Sequence, residues 1–131
     1  MNYLPPILYM IGIFALSSIP GHSKVDTLVS LHISPNLQNL LHIPEFGILA
    51  LLWMQIFQKK YSLLKASFCV FIICVTYGFL DELHQFFIPG RLASLSDIIL
   101  DTGGVFLGIF IYVFLIKIHK YQSSIKNITG G

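Results

Sequence analysis

The chain has 131 residues, 55% of them hydrophobic and only 11% charged, with a mean hydropathy of +0.77 and a formal net charge of +2. A soluble globular domain carries roughly 25% charged residues, so this composition excludes a water-soluble ball and points to one integral membrane domain spanning 1–131. No nucleic-acid partner is expected.

Four apolar segments follow one another at about 3–19, 40–57, 62–87 and 98–116. The first holds Pro5 and Pro6 at its start, where proline suits a helix. It lacks a basic stretch at Met1-Asn2-Tyr3 and a small-x-small site after it, so it is expected to remain a span and not to be cleaved. Each run is near the about 20 residues that a spanning helix needs. Strand alternation is absent, so the predicted fold class is all-α, an integral membrane four-helix bundle, in preference to a barrel. The longest loop, Pro20–Asn39, holds an amphipathic piece, Val25–Leu31, and is expected to lie at the membrane interface on the outer side. The second connection, Gln58–Tyr61, is short and basic. The third, Ile88–Ser96, carries Pro89-Gly90 and then Arg91. The polar tail after Lys117 is expected to fray.

Lysine placement orients the spans. Lys59, Lys60, Lys65, Lys117, Lys120 and Lys126 fall on the side shared by both termini, against Lys24 and Arg91 on the other. Both termini are therefore expected in the cytoplasm. Every acid (Asp26, Glu45, Asp81, Glu82, Asp97 and Asp101) then falls at the outer end. Cys69 and Cys74 are five apart on the third segment and point in different directions; they read as small apolar residues.

Ionisable groups at the edge of hydrocarbon are costly and usually mark a site. Five of the chain's formal charges lie between Tyr77 and Gly108. His42 and Glu45 are three apart and share a face of the second segment. Tyr77, Asp81, His84 and Gln85 follow i, i+4, i+7, i+8 on the third, and Glu82 points about one helical step away. Ser94, Asp97, Asp101, Gly104 and Gly108 form a stripe on the fourth, with Gly104 and Gly108 spaced for close helix approach. Counting about 22 Å for Ala66–Leu80 at 1.5 Å per residue brings Asp81–Gln85 to the outer boundary. His42, Glu45, Asp97 and Asp101 lie at that level too. The second, third and fourth helices are thus expected to converge on one polar pocket. Candidates for chemistry are His42, Glu45, Asp81, Glu82, His84 and Asp97; candidates for ligand binding are Gln85, Arg91 and Asp101. Plain alternatives are a capping pair at His42/Glu45, a packing network at Asp81–Gln85, a helix cap at Asp97, and neutralisation of Asp97 or Glu82 by Arg91. The Arg91 fork also suits a phosphate or carboxylate headgroup. The spacing matches no metal motif, and no cofactor is specified.

Four blocks carry a family resemblance: SSIPG at Ser17–Gly21, HIPEFGILALL at His42–Leu52, YGFLDELHQFFIPGR at Tyr77–Arg91 and SDIILDTGGVFLG at Ser96–Gly108. Together they resemble the VanZ-like family of small bacterial membrane proteins, and the resemblance covers nearly the whole chain. It departs from that pattern at Asn39, where the family often has Lys, and at Asp101, where it often has Asn. The resemblance implies a bacterial cell-membrane protein associated with teicoplanin resistance. Its partners would be the bilayer and, at the outer leaflet, a lipid or cell-wall-precursor headgroup or a lipoglycopeptide. Two other classes stay open: an intramembrane enzyme using acid–base or metal-assisted chemistry on a lipid-linked substrate, and a structural membrane subunit.

Overall fold

A computed structural model describes residues 2–20, 39–91 and 94–129. The described residues form four helices and no strand: α1 (Leu4–Ser17), α2 (His42–Phe57), α3 (Leu63–Gln85) and α4 (Leu95–Thr129). The all-α expectation holds at that level. The amphipathic piece Val25–Leu31 lies outside the described residues.

Helix lengths differ from the expected runs. α3 and α4 are long and apolar enough to cross a membrane, whereas α1 has 14 residues and α2 has 16. At 1.5 Å per residue those two measure about 21 and 24 Å. The tail expected to fray after Lys117 instead continues α4 to Thr129. The sequence from Lys117 to Thr129 contains neither glycine nor proline, so nothing in it stops the helix. The first glycine or proline in the sequence after Lys117 is Gly130.

The four helices bring one set of their ends together. Phe46, Leu49, Ala50 and Met54 of α2 pack with Ala66, Val70 and Cys74 of α3, Val105 of α4 and Ile13 of α1. Large apolar side chains also cover the outside: Leu4, Ile7, Leu8 and Ile11 on α1, Phe68 and Ile72 on α3, and Phe106, Phe110 and Phe114 on α4 are all exposed. Cys69 and Cys74 are both free thiols.

The widest helix contact, α2 with α4, is set by glycine. A Cβ placed on Gly104 would stand 2.3 Å from the Ile43 carbonyl oxygen. A Cβ on Gly108 would stand 2.3 Å from the Gly47 carbonyl oxygen. Both pairs keep the same offset, so α2 and α4 run parallel with main chain against main chain. The small-xxx-small spacing of the sequence therefore finds its partner in α2.

Gly104→Ala or Gly108→Ala is expected to force α2 and α4 apart and to cost on the order of 1–3 kcal/mol. Gly103 faces open space, so Gly103→Ala is expected to be neutral or stabilising by up to about 1 kcal/mol. Thermal unfolding of the three variants in one detergent checks the order; equal melting points would refute the glycine contact.

Candidate functional site

Four acids are buried at the shared end of the bundle: Asp81 and Glu82 near the C-terminus of α3, Asp97 and Asp101 near the N-terminus of α4. Such groups need a hydrogen-bond donor or a countercharge to be kept from water. Their partners divide the end into two groups.

The first group joins α3 to α1. The face expected from the i, i+4, i+7, i+8 spacing exists, and α1 is what it meets. Tyr77 donates to the Met10 carbonyl at 2.6 Å. Ser17 Oγ donates to Asp81 Oδ1 at 2.6 Å, and Gln85 Nε2 donates to Asp81 Oδ2 at 2.8 Å. His84 Nε2 lies 3.0 Å from Ser18 Oγ, and its ring stacks on Phe14 with centroids 4.3 Å apart. His84 thus meets α1, so α1 joins the second, third and fourth helices of the sequence reading at this end. Ser17 and Ser18 were not among the candidate residues. The SSIPG block held the signal, but a serine pair at a helix end has many ordinary uses.

Ser18 and His84 resemble a nucleophile with its base, but the hydrogen bonds argue against that. Ser18 Oγ also donates to the Phe14 carbonyl at 2.6 Å. A hydroxyl has one proton. With that proton on Phe14, the His84 ring must donate through Nε2, so it cannot accept the serine proton.

Arg91 closes this group. Ile88, Pro89, Gly90 and Arg91 make a turn in which Arg91 N–H donates to the Ile88 carbonyl at 3.1 Å and Gly90 has φ 74°. Proline at the second position and a left-handed glycine at the third are the requirements of a type II turn. The turn aims Arg91 back at α1. Its Nη2 donates to the Leu16 carbonyl at 3.0 Å and its Nε to the Ile19 carbonyl at 3.3 Å. Its Nη1 donates to Gln85 Oε1. The fork therefore ties the end of α1 and the residue beyond its cap to Gln85 of α3, adding a second donor at the Leu16 carbonyl, which already accepts from Ile19 N–H at 3.3 Å; its donors go to these oxygens and not to Asp97 or Glu82. Burial pulls the Arg91 guanidinium below its ordinary value, while Asp81 and Glu82 act the other way. It remains a cation.

The second group joins α2, α3 and α4. His42 Nδ1 lies 2.9 Å from Asp101 Oδ1, with the His42 side chain 16% exposed. Glu45, one turn on, is half-buried, and its charge reaches Tyr9 and Tyr77. Glu82 points to this group, as the one-step rotation from Asp81 requires. Its Oε2 accepts from the Ser94 main-chain N–H at 3.0 Å. Asp97 is not the helix cap. Ser94 takes that position, its Oγ accepting from Ser96 N–H at 3.2 Å, and Asp97 falls inside the first turn. Glu82 Oε1 and Asp97 Oδ1 are buried and accept no hydrogen bond among the described residues.

The sequence candidates thus gather at one end, with Asp81, His84, Gln85 and Arg91 on the α1 side, His42, Glu82, Asp97 and Asp101 on the α4 side, and Glu45 of α2 reaching Tyr9 of α1 and Tyr77 of α3 by its charge. Among the described residues, no three His, Cys, Asp or Glu side chains are arranged to hold a metal. What the second group offers chemically is a carboxylate-oriented imidazole beside two acids with free lone pairs.

Removing the Ser17 hydroxyl strips a buried carboxylate of a donor. Ser17→Ala is expected to lower stability by about 1–3 kcal/mol, and Ser18→Ala by less, because His84 is only half-buried. Denaturation midpoints of the two variants check this; a larger loss in Ser18→Ala would reverse the assignment.

The model of one protein family, described as VanZ/LLP1, matches residues 6–117. No curated protein and no solved structure matches the chain. The match covers α1, α2, α3, the polar end that they share with α4, and α4 as far as its first lysine. On that span the chain belongs to the VanZ/LLP1 family.

Proposed function

We propose that this chain is a four-span protein of the bacterial cell membrane, with both termini in the cytoplasm, that lowers sensitivity to teicoplanin-like lipoglycopeptides through its polar end. That end faces the outer leaflet in this reading. The observation that carries it is the concentration of four buried acids at one end of a bundle whose outside is apolar. Packing alone needs small residues, not ionisable ones, and intramembrane ionisable groups are rare and functional. The lysine division supports the orientation. The site would engage an amphiphilic antibiotic or a lipid or cell-wall-precursor headgroup, with Arg91 as a positioning residue that fixes α1 against α3.

A second reading is favoured by the His42–Asp101 pair. A carboxylate on Nδ1 orients an imidazole and leaves Nε2 for proton transfer. An intramembrane acid–base enzyme acting on a lipid-linked substrate would use it so. Turnover by purified protein that His42→Ala abolishes would establish this reading.

Orientation is tested by thiol labelling of intact cells, with Cys69 and Cys74 replaced by Ala. Ser96→Cys is expected to label from outside and Ser124→Cys only after permeabilisation; external labelling at 124 would invert the topology. For function, Glu82→Gln, His84→Ala and Arg91→Ala are each expected to abolish lipoglycopeptide tolerance. Arg91→Lys should not restore it, since the three donors of an ammonium radiate from one nitrogen and do not reproduce the planar fork that reaches Leu16, Ile19 and Gln85. Membrane abundance is measured in parallel. Normal abundance with full tolerance in all three variants would make the cluster structural.

A further inference from the structure

Ser94-Leu95-Ser96-Asp97 has the spacing of a capping box. In that motif the third residue of the helix bonds back to the N–H of the cap residue. Here Glu82 Oε2 occupies the Ser94 N–H. Two carboxylates therefore compete for one donor, and Asp97 Oδ1 and Glu82 Oε1 are left over. Glu82 is 3% exposed and Asp97 8%, and the charges of Asp97 and Asp101 reach Glu82. Among the described residues, the cations at this end have other partners. Arg91 is bound to α1 and Gln85, and His42 is bound to Asp101.

Beside Glu82 lies a groove of about 200 Å³ between the ends of α3 and α4. Phe79, Leu83 and Phe86 form one wall, Leu95 and Ile98 the other, and Glu82 supplies a carboxylate. Phe79, Leu83, Phe86 and Leu95 are exposed on the outside of the bundle, so the groove opens sideways from the helix pair.

We propose that this groove binds a single-chain amphiphile that carries a protonated amine, its ammonium paired with Glu82 beside Asp97 and its alkyl chain against Phe79, Leu83 and Leu95. The inference rests on the membrane reading above and names the ligand chemistry of that site. An ammonium supplies a donor for the Glu82 oxygen that is unpaired among the described residues, and a positive charge where acids outnumber cations among them. An alkyl chain suits the apolar walls and entry from lipid. An anionic head is disfavoured, because it would add charge of the sign already in excess.

The test is a native mass spectrometry titration of the full chain in a neutral detergent, with dodecylammonium, dodecanol and dodecyl sulfate as probes. Dodecylammonium is expected to bind at one-to-one stoichiometry and roughly tenfold or more tighter than the other two. Glu82→Gln should reduce that preference to none, and Asp97→Asn should weaken it. Far-UV circular dichroism verifies that each variant is helical. Should Glu82→Gln fail to fold, Leu95→Lys is the second variant. Leu95 is 80% exposed, so the change spares the core while tethering an ammonium at the groove. It should abolish binding of dodecylammonium. Equal binding of dodecanol and dodecylammonium by the parent overturns the inference, because the groove then shows no preference for a cation. Undiminished binding by folded Glu82→Gln or Leu95→Lys overturns it too. Lost tolerance in Glu82→Gln without an ammonium preference in the parent overturns this inference and leaves the envelope role standing. An ammonium preference without tolerance supports this inference and removes the resistance role.

Discussion

Main chain meets main chain where α2 crosses α4, and the polar end is built outward from that contact. The carbonyls of Ile43 and Gly47 occupy the space where side chains of Gly104 and Gly108 would begin. Parallel helices held this closely have little freedom to slide. Asp101 lies one turn before Gly104, so it comes to His42 at the start of α2. Asp97 lies a further turn out, and the cap at Ser94 beyond it. Gly78 of α3 serves the same end from the third side, where a Cβ would stand 3.1 Å from both Asp101 and Phe46. Small residues thus let three backbones approach near the acids, which puts carboxylates from different helices within reach of each other's fields.

The four acids are not equivalent. Asp81 is served at both oxygens, by Ser17 and Gln85. Asp101 holds His42. Glu82 is half served, by Ser94, and the outer oxygen of Asp97 is unserved among the described residues. A carboxylate whose lone pairs are satisfied internally contributes to packing and specificity. One whose lone pairs are left in an apolar setting destabilises the fold by itself. It is retained where something else supplies the missing donor. The ordering runs from fully served at Asp81 to under-served at Glu82 and Asp97, and it follows the direction from α1 to α4.

Much of this end could be read from residue spacing. The i, i+4, i+7, i+8 stripe on α3 and the Asp97-to-Gly108 stripe on α4 both proved to be contact faces, because helical period alone decides which side chains share a side. What the period does not give is the neighbour. Tyr77, Asp81 and His84 meet α1, a helix whose only polar residues near its end are Ser17 and Ser18. Two hydroxyls beside an apolar run carry little signal. Arg91 shows the same limit. Its fork suited an outside anion, and the Pro89-Gly90 pair before it was visible in the sequence, but the direction in which the turn there returns the chain was not. Helix ends were the other gap. Depletion of charge marks a span and says nothing about where a polar tail stops, so α4 outran its apolar stretch.

The last turn of α3 therefore couples the two sides. Asp81 and Glu82 are consecutive, and a helical step of about 100° sends one towards α1 and the other towards α4. Gln85, one turn on, bridges Asp81 to Arg91, and Arg91 holds the end of α1. A rotation of this turn that brought Glu82 closer to the groove would have to turn Asp81 away from Ser17. Glu82 cannot readily adjust its position to its own need, because its neighbour is anchored. That rigidity explains how an under-satisfied carboxylate persists: relaxing it would break a better-satisfied one. Preorganisation of this kind spares a ligand the cost of ordering its site, and here the ordering is done by α1, a helix that does not line the groove.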